Sequence, residues 1–355
     1  MSVGYVTVQW NRHKRIYDAC VVAGIVLYLG AFLIGGKTLY TGPNAISDEI
    51  LVIRALACAF LLLNVILCIG PLARLDRRFL PLLYNRRHLG VTTFPVALAH
   101  GVLATGYYHG FSEVNPFVSL LTSNTNFGTL SAFPFQVLGV LALLILFLMA
   151  ATSHDFWLKN LGAAAWKRLH MLVYLAYGLL VMHVALGILQ TQRNPWLAAL
   201  VAGSVAIVAG LHLMAGVHEY RRDTREATLA STVDSGWVDV ASIDRIEDDC
   251  GCTVTVAGGE RIALFRCNGC VWATTNVCAH QGGPLGEGKI IDGCITCPWH
   301  GWQYRPADGQ SPPPFTEKIA TYSVRVVEGR VQVDPRPLAP GTPVEPARFA
   351  EASHA

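Results

Sequence analysis

The chain has 355 residues, of which 52% are hydrophobic and only 14% are charged, and its formal net charge is +3. With a mean hydropathy of +0.40, this composition excludes an ordinary soluble enzyme, because soluble domains carry more charge and a smaller apolar excess. We expect a lipid bilayer as a partner and no nucleic acid.

Most of the apolar excess precedes residue 220, in six stretches that each approach the ~20 residues needed to cross a bilayer. They lie at roughly 18–34, 51–69, 91–109, 133–153, 168–189 and 196–217. The first is short and follows basic residues, as a signal peptide would, but no convincing small-residue cleavage site follows it. The pattern predicts a membrane α-helical bundle of six spans over residues 16–222, after a cytoplasmic segment over 1–15.

Basic residues are distributed unequally between the loops on the two sides of these spans. One side holds Lys37 and Arg193, whereas the other holds fourteen basic residues. These are Arg12, Lys14, Arg15, Arg74, Arg77, Arg78, Arg86, Arg87, Lys159, Lys167, Arg168, Arg221, Arg222 and Arg225. The positive-inside rule therefore places both termini in the cytoplasm of a multi-pass inner-membrane protein. Ten cysteines without a secreted framework agree with that reducing compartment.

Several histidines lie within or near the ends of the apolar stretches, where an unpaired polar ring is expensive. His100 and His183 are the deepest, and we predict that they bind haem, because imidazole is the common axial ligand of haem iron. His109, His212 and His218 lie towards the ends of spans, and we interpret them as hydrogen-bonding or interfacial residues.

His170 precedes His183 by thirteen residues, which corresponds to about 20 Å along a helix. That separation suits two haems stacked across a membrane. On a straight helix, however, the two rings point about 220° apart. Either the helix is distorted near Gly178, or the two rings serve haems in different grooves.

Two short motifs in this half resemble the ferric-reductase-type transmembrane domain, and in particular the membrane haem subunit of the bacterial methionine sulfoxide reductase system. They are RRHLG at 86–90, leading to His100, and WKRLH at 166–170, leading to His183. The resemblance implies one or two b-type haems with His100, His170 and His183 as ligands. Members with two bis-histidine haems carry a further histidine where this chain has Val114.

Beyond residue 222 the composition changes. Residues 223–235 are polar and are predicted to be a linker. Short alternating runs follow, which predict a small all-β domain over 236–335. They lie at 253–257, 261–266, 271–277, 294–296, 319–327 and 330–333. The Pro- and Ala-rich tail, 336–355, is predicted to be disordered.

Four cysteines flank a predicted hairpin in this domain. They are Cys250, Cys252, Cys267 and Cys270, and the predicted turn is Gly258-Gly259. Pairing about that turn brings Cys252 beside Cys267, an arrangement that suits a closed structural zinc site. Free cysteines that fill core or turn positions, or a disulfide, are the alternatives.

Cys278-Ala279-His280 is followed, after sixteen residues, by Cys297-Pro298-Trp299-His300. Two cysteines and two histidines suit a Rieske [2Fe-2S] cluster, in which Cys278 and Cys297 hold one iron and His280 and His300 hold the other. A structural zinc ion accepts the same donors.

The residues that flank these ligands resemble Rieske ferredoxins and the Rieske domains of aromatic-ring oxygenases. The similar segments are QGGPL at 281–285, GW at 301–302 and PPPF at 312–315. This resemblance implies the cluster rather than zinc. Rieske proteins of the respiratory and photosynthetic cytochrome complexes add a disulfide-forming cysteine to each loop, and its absence here implies the cytosolic, lower-potential branch.

These features predict an electron-transfer component of an oxidoreductase. Electrons would pass from a cytosolic reductase or ferredoxin through the Rieske cluster to b-type haem, and then to an unidentified acceptor at the outer face. The sequence contains no Gly-x-Gly-x-x-Gly nucleotide loop, so we expect no NAD(P)H site. A Rieske oxygenase is disfavoured, because only twenty residues follow Pro335. The alternative is a membrane-anchored Rieske ferredoxin or redox sensor without haem.

Overall fold

The computed structural model describes residues 12–42, 45–153, 155–187, 195–229, 231–232, 236–256, 259–280, 282–299, 301–313 and 315–349. These residues form two compact units, whose main boundary lies in the last long helix, between Leu213 and Met214. The first unit is helical and the second is rich in β-strands.

The helices of the described residues follow one another in chain order. They are α1 Arg12–Leu39, α2 Asp48–Leu56, α3 Cys58–Leu75, α4 Leu80–His109, α5 Pro116–Thr122, α6 Phe135–Ala151, α7 Asp155–His170, α8 Val173–Leu186 and α9 Pro195–Leu229. Five helical segments are long and apolar enough to cross a membrane: Arg15–Leu39, Asp48–Leu75, Asn85–His109, Ala165–Leu186 and Pro195–Arg221. The sixth predicted span corresponds to α6, which is apolar but has 17 residues, fewer than the ~20 of a full span.

Two of these segments are interrupted. The first interruption lies at Ala57, between the end of α2 and the start of α3. The Ala57 N–H donates to the Arg54 carbonyl at 3.2 Å. The second interruption lies at Met171 and Leu172, between α7 and α8. Gly178, where the sequence suggested a distortion, lies inside α8.

An apolar core holds α3, α6, α8 and α9 together. It contains Phe60, Leu63, Leu67, Leu146, Ala176, Tyr177 and Val208. One polar pair is buried in it, because the Tyr177 hydroxyl donates to Asn64 Oδ1 at 2.8 Å and Asn64 Nδ2 donates to the Phe60 carbonyl at 2.7 Å. Each polar atom is thus hydrogen-bonded, as burial requires.

The second unit contains twelve strands in the part of the chain that the structure describes. They are β1 Ser231–Thr232, β2 Val238–Ser242, β3 Gly251–Thr255, β4 Arg261–Cys267, β5 Cys270–Thr275, β6 Lys289–Ile291, β7 Cys294–Thr296, β8 Gln303–Tyr304, β9 Thr321–Tyr322, β10 Val324–Val327, β11 Arg330–Val333 and β12 Ala347–Arg348. They form antiparallel sheets in the orders β1-β2-β11-β10, β12-β5-β4-β3 with β9 beside β5, and β6-β7-β8. The prediction of a small all-β domain is confirmed.

The predicted pairing of Cys252 with Cys267 is wrong. The β3–β4 hairpin closes at Thr255 opposite Arg261, so Cys252 lies opposite Leu264. Three strand residues, or about 10 Å, separate that position from Cys267. Cys252 is buried in the apolar core of the domain, so the structure does not form the four-cysteine zinc site.

The prediction of a disordered tail is wrong for residues 336–349, and 350–355 lie outside the described residues. Ala347 is buried and pairs with Val271, while Arg348 pairs with Cys270. The Val344 N–H donates to the Ala307 carbonyl at 2.8 Å. Main-chain hydrogen bonds and a few apolar contacts therefore order a segment whose composition alone suggested disorder.

Ending the chain after Arg336 removes β12 and the burial of Ala347. We expect the midpoint of thermal loss of the Rieske visible absorption to fall by roughly 5–10 °C, because about 1–2 kcal/mol of strand pairing and burial is lost. Ending the chain after Phe349 is the control and should leave the midpoint unchanged. Equal midpoints for both truncations would show that the tail contributes nothing.

Candidate functional site

Cys278 and Cys297 each begin a loop, and the described residues of the two loops share a backbone hydrogen-bond pattern. The N–H of Gly282 donates to the Cys278 carbonyl at 2.7 Å, and the N–H of Gly301 donates to the Cys297 carbonyl at 2.9 Å. Both glycines have a positive φ, +71° and +69°, which residues with a side chain rarely adopt. Each cysteine N–H also donates to the carbonyl five residues further on. The two loops therefore present their cysteines in equivalent ways.

The two cysteine side chains are 1% exposed and lie in one apolar core. A Cβ added at Gly283, in the first loop, would lie 2.7 Å from the Sγ of Cys297, in the second. The absence of a side chain at Gly283 therefore lets the two loops approach each other. Two buried thiols at such a junction are the donors that iron–sulfur clusters use.

His280 and Tyr304 complete the described part of this site. The His280 ring stacks on Trp302, with centroids 3.9 Å apart and planes inclined by 7°. The Tyr304 hydroxyl is buried, lies 3.3 Å from Cys278 Sγ and accepts from the His280 N–H at 3.3 Å. Burial, and then the neighbouring Cys278, raise the pKa of Tyr304, so its hydroxyl stays protonated and can donate to the sulfur.

Tyr304 is not among the residues predicted from the sequence, and Trp302 had no predicted role. The indole Nε1 of Trp302 donates to Ser311 Oγ at 2.9 Å, which fixes the plane on which His280 stacks. A tyrosine and a tryptophan just after the second ligand motif were the available signal. His300 lies outside the described residues.

Among the described residues, no three His, Cys, Asp or Glu side chains converge closely enough to hold a single metal ion. A two-iron cluster has a different requirement, since each iron takes two protein ligands. The buried thiols, the stacked imidazole and the hydroxyl beside Cys278 fit a Rieske cluster.

In the helical unit, His100 on α4 faces His183 on α8. Their ring centroids are 6.4 Å apart and their planes are inclined by 89°. A metal ion bonded to one nitrogen of each ring requires a centroid separation of roughly 6.5 Å, from a metal–nitrogen distance of about 2 Å. The spacing therefore suits one iron that both imidazoles would hold.

The second nitrogen of each ring is held by a backbone carbonyl. His100 Nδ1 lies 2.8 Å from the Ile53 oxygen, and His183 Nδ1 lies 2.9 Å from the Phe135 oxygen. Because a carbonyl can only accept, each Nδ1 carries the proton and each Nε2 is left with a lone pair for a metal. These rings are thus fixed in the tautomer that ligation requires.

Two local features make this arrangement possible. At the end of α2, the Ala57 N–H donates to Arg54 rather than to Ile53, which leaves the Ile53 oxygen for His100. On α6, a Cβ added at Gly139 would lie 2.8 Å from the His183 ring. A glycine is therefore needed where α6 passes this histidine.

The other membrane histidines lie elsewhere. His170 Nδ1 donates to the Trp166 carbonyl at 3.0 Å, and its Nε2 lies 3.4 Å from Ser153 Oγ. His212 Nδ1 donates to the carbonyl of Val208, one turn earlier, at 2.8 Å. His88, twelve residues before His100, belongs to the RRHLG motif but had no predicted role.

The Asp18 carboxylate holds the ring of His88. Its two oxygens lie 3.0 and 3.1 Å from His88 Nδ1, so the carboxylate fixes the orientation of the ring.

Comparisons with known proteins agree with the division of the chain into a helical unit and a β-rich unit. The model of the Rieske [2Fe-2S] domain matches residues 236–323. The ferredoxin subunit of anthranilate 1,2-dioxygenase from Burkholderia cepacia is 34% identical over 110 residues, which are 31% of this chain and 96% of that relative. The chain belongs to the Rieske [2Fe-2S] family. The ferredoxin component of the naphthalene 1,2-dioxygenase system from Pseudomonas aeruginosa is 31% identical over 28% of this chain and 94% of its own length.

The membrane half of this Rieske protein is a ferric-reductase-like transmembrane component, whose model matches residues 55–181. The heme-binding subunit MsrQ of the protein-methionine-sulfoxide reductase from Caulobacter vibrioides is 44% identical over 62 residues. That match spans 18% of this chain and 30% of MsrQ. A Rieske domain joined to such a component supports a role in membrane electron transfer.

Replacing Tyr304 with phenylalanine should lower the midpoint potential of the cluster by on the order of 40 mV, from about 1 kcal/mol of lost hydrogen bonding to Cys278. The reduced cluster is the more negative and gains more from that donor. A redox titration followed by electron spin resonance measures the shift. Tyr322→Phe is the control, because the Tyr322 hydroxyl donates to Glu260 at 2.6 Å. Equal shifts in both variants would rule out the specific contact.

Proposed function

We propose that this protein carries electrons across the inner membrane, from a cytosolic reductase or ferredoxin to an acceptor at the outer face. The Rieske domain receives them, and b-type haem in the membrane half passes them on. The observation that carries the proposal is the facing pair of His100 and His183, each with Nδ1 held by a carbonyl. When bound, the cluster and the haem each accept and release one electron.

We also propose a second haem, held by His88 and His170. His88 lies about 18 Å from His100 along α4, and His170 lies about 20 Å from His183 along its span. Successive spans reverse direction, so α4 and α8, which both pack on α6, run the same way. These two histidines then lie at the same level, on the side of the membrane opposite to the first pair.

One contact supports His88 as a ligand. The carboxylate of Asp18 orients His88 in the way that carboxylates orient metal-binding histidines. The sequence led us to expect that a fourth histidine is missing at Val114. That position follows the other end of α4 and not the end where His88 lies.

The direction of electron flow follows from charge and composition. Fourteen of the sixteen basic loop residues belong to one set of loops, which the positive-inside rule assigns to the cytoplasm. The Rieske domain follows α9 on that side. Because the sequence contains no nucleotide-binding glycine loop, the electrons come from a separate protein.

His183→Ala should remove about half of the b-haem absorption of the full chain purified in detergent, because the first pair loses one axial ligand. The Rieske electron-spin signal should be unchanged, since its ligands are separate. His218→Ala is the control, because His218 is exposed on α9. Absence of haem bands from the unaltered protein would instead favour an anchored ferredoxin or redox sensor.

His88→Ala tests the second pair. We expect it to remove the other half of the haem absorption and to leave the half that depends on His183, so that the double variant has none. Asp18→Asn should retain the haem but shift its potential, because the orienting carboxylate is neutralised. Full haem content in His88→Ala would show that the protein holds one haem.

A further inference from the structure

The tip of the β4–β5 hairpin places two cysteines directly opposite each other. Cys267 pairs with Cys270 across a two-residue turn, Asn268-Gly269. Both turn residues have a positive φ, +51° and +68°, which is the hairpin turn that Asn-Gly favours. Both cysteines are free thiols and are partly exposed.

Directly opposite residues of an antiparallel pair have Cα atoms about 4.5–5.5 Å apart and side chains on the same face. A disulfide spans Cα separations of about 4.4–6.8 Å. The Cα separation expected for the two cysteines therefore lies within the range that a disulfide spans. No other pair of cysteines is directly opposite in the strand pairings of the described residues.

We propose that Cys267 and Cys270 form a reversible thiol–disulfide couple at the edge of the Rieske domain. The couple takes a small disulfide, such as oxidised glutathione, as its oxidant and a small thiol as its reductant. This site is separate from the proposed path of electrons through the cluster and haem, and it does not depend on that path.

The exchange proceeds in two steps. Cys270 loses its proton to solvent and attacks one sulfur of the small disulfide, which forms a mixed disulfide and releases one thiolate. Cys267 then attacks Cys270 Sγ, which forms the Cys267–Cys270 bond and releases the second thiolate. Two protein thiols are oxidised and one small disulfide is reduced to two thiols, so that electrons and protons balance.

The surroundings of Cys267 assign the order of attack. Burial, and then a hydrogen bond to Asp249, raise the pKa of Cys267 to about 12, so Cys267 is a poor first nucleophile. The backbone holds Asp249 in place, because its N–H donates to the Arg266 carbonyl at 2.9 Å and its carbonyl accepts from Ile290 at 2.8 Å. Cys267 loses its proton to solvent only when it attacks Cys270 Sγ, and the Asp249 carboxylate makes that loss harder.

The neighbouring hairpin provides a matched comparison. Cys294 has the same position in the β6–β7 hairpin, after an Asp292-Gly293 turn with positive φ values of +52° and +75°. The residue opposite it is Ile291. Cys294 therefore has the same kind of turn and partial exposure, but no opposite cysteine.

The test uses the full chain purified in detergent and equilibrated in buffers of reduced and oxidised glutathione. After the thiols are trapped by alkylation, mass spectrometry of the peptides that contain Cys267, Cys270 and Cys294 gives their state. We expect an internal Cys267–Cys270 disulfide whose fraction follows the buffer ratio and reverses with excess thiol. Cys294 should give at most a glutathione adduct.

Single variants separate the two steps. Cys267→Ser should trap a glutathione adduct on Cys270, whereas Asp249→Asn should speed closure of the disulfide several-fold, because the amide lacks the charge that raises the pKa of Cys267. An unchanged Rieske electron-spin signal shows that each variant is folded. Alkylated thiols at both positions under oxidising buffer, or a disulfide that joins Cys267 to Cys250 instead, would overturn the proposal.

Discussion

A buried histidine that binds a metal needs a hydrogen-bond partner at one ring nitrogen and an available lone pair at the other. In the membrane half this constraint is severe, because a ring nitrogen without a partner in hydrocarbon costs several kcal/mol. His100 and His183 meet it with the carbonyls of Ile53 and Phe135. Their Nε2 atoms are the ones left for a metal, and the interruption at Ala57 and the glycine at Gly139 make room for that arrangement.

The interruption at Ala57 illustrates the link between chain and site. A continuous helix would use the Ile53 carbonyl for its own hydrogen bond to residue 57. Because the N–H of Ala57 turns to Arg54, the Ile53 oxygen becomes available to a histidine on another helix. A local departure from regular helix thus supplies the group that orients His100, at the cost of one regular backbone hydrogen bond.

Features that depend on residue type and spacing could be predicted from the sequence, whereas features that depend on strand pairing could not. The ligand motifs at Cys278 and Cys297, and the apolar stretches, predicted the Rieske domain and the membrane helices without coordinates. The hairpin of Cys252 was misjudged because its register depends on how many residues the turn takes up. A tail rich in proline was predicted to be disordered because composition does not reveal that Ala347 completes a sheet edge.

The membrane histidines show why burial depth was an incomplete criterion. Depth in an apolar stretch selected His100 and His183 and passed over His88, which lies nearer the basic end of α4. The hydrogen-bond partner of Nδ1 is a second criterion. When an acceptor from another helix holds Nδ1, the ring is oriented so that Nε2 can bind a metal. His88 satisfies that criterion through Asp18 of α1. His170 and His212 do not, because their Nδ1 atoms bond to carbonyls of their own helices. Nε2 of His212 lies 3.1 Å from the Tyr174 hydroxyl of α8, so this ring links α9 to α8. The criterion therefore supports His100, His183 and His88 as ligands in the proposed electron path, whereas His170 enters that proposal through its level along the span.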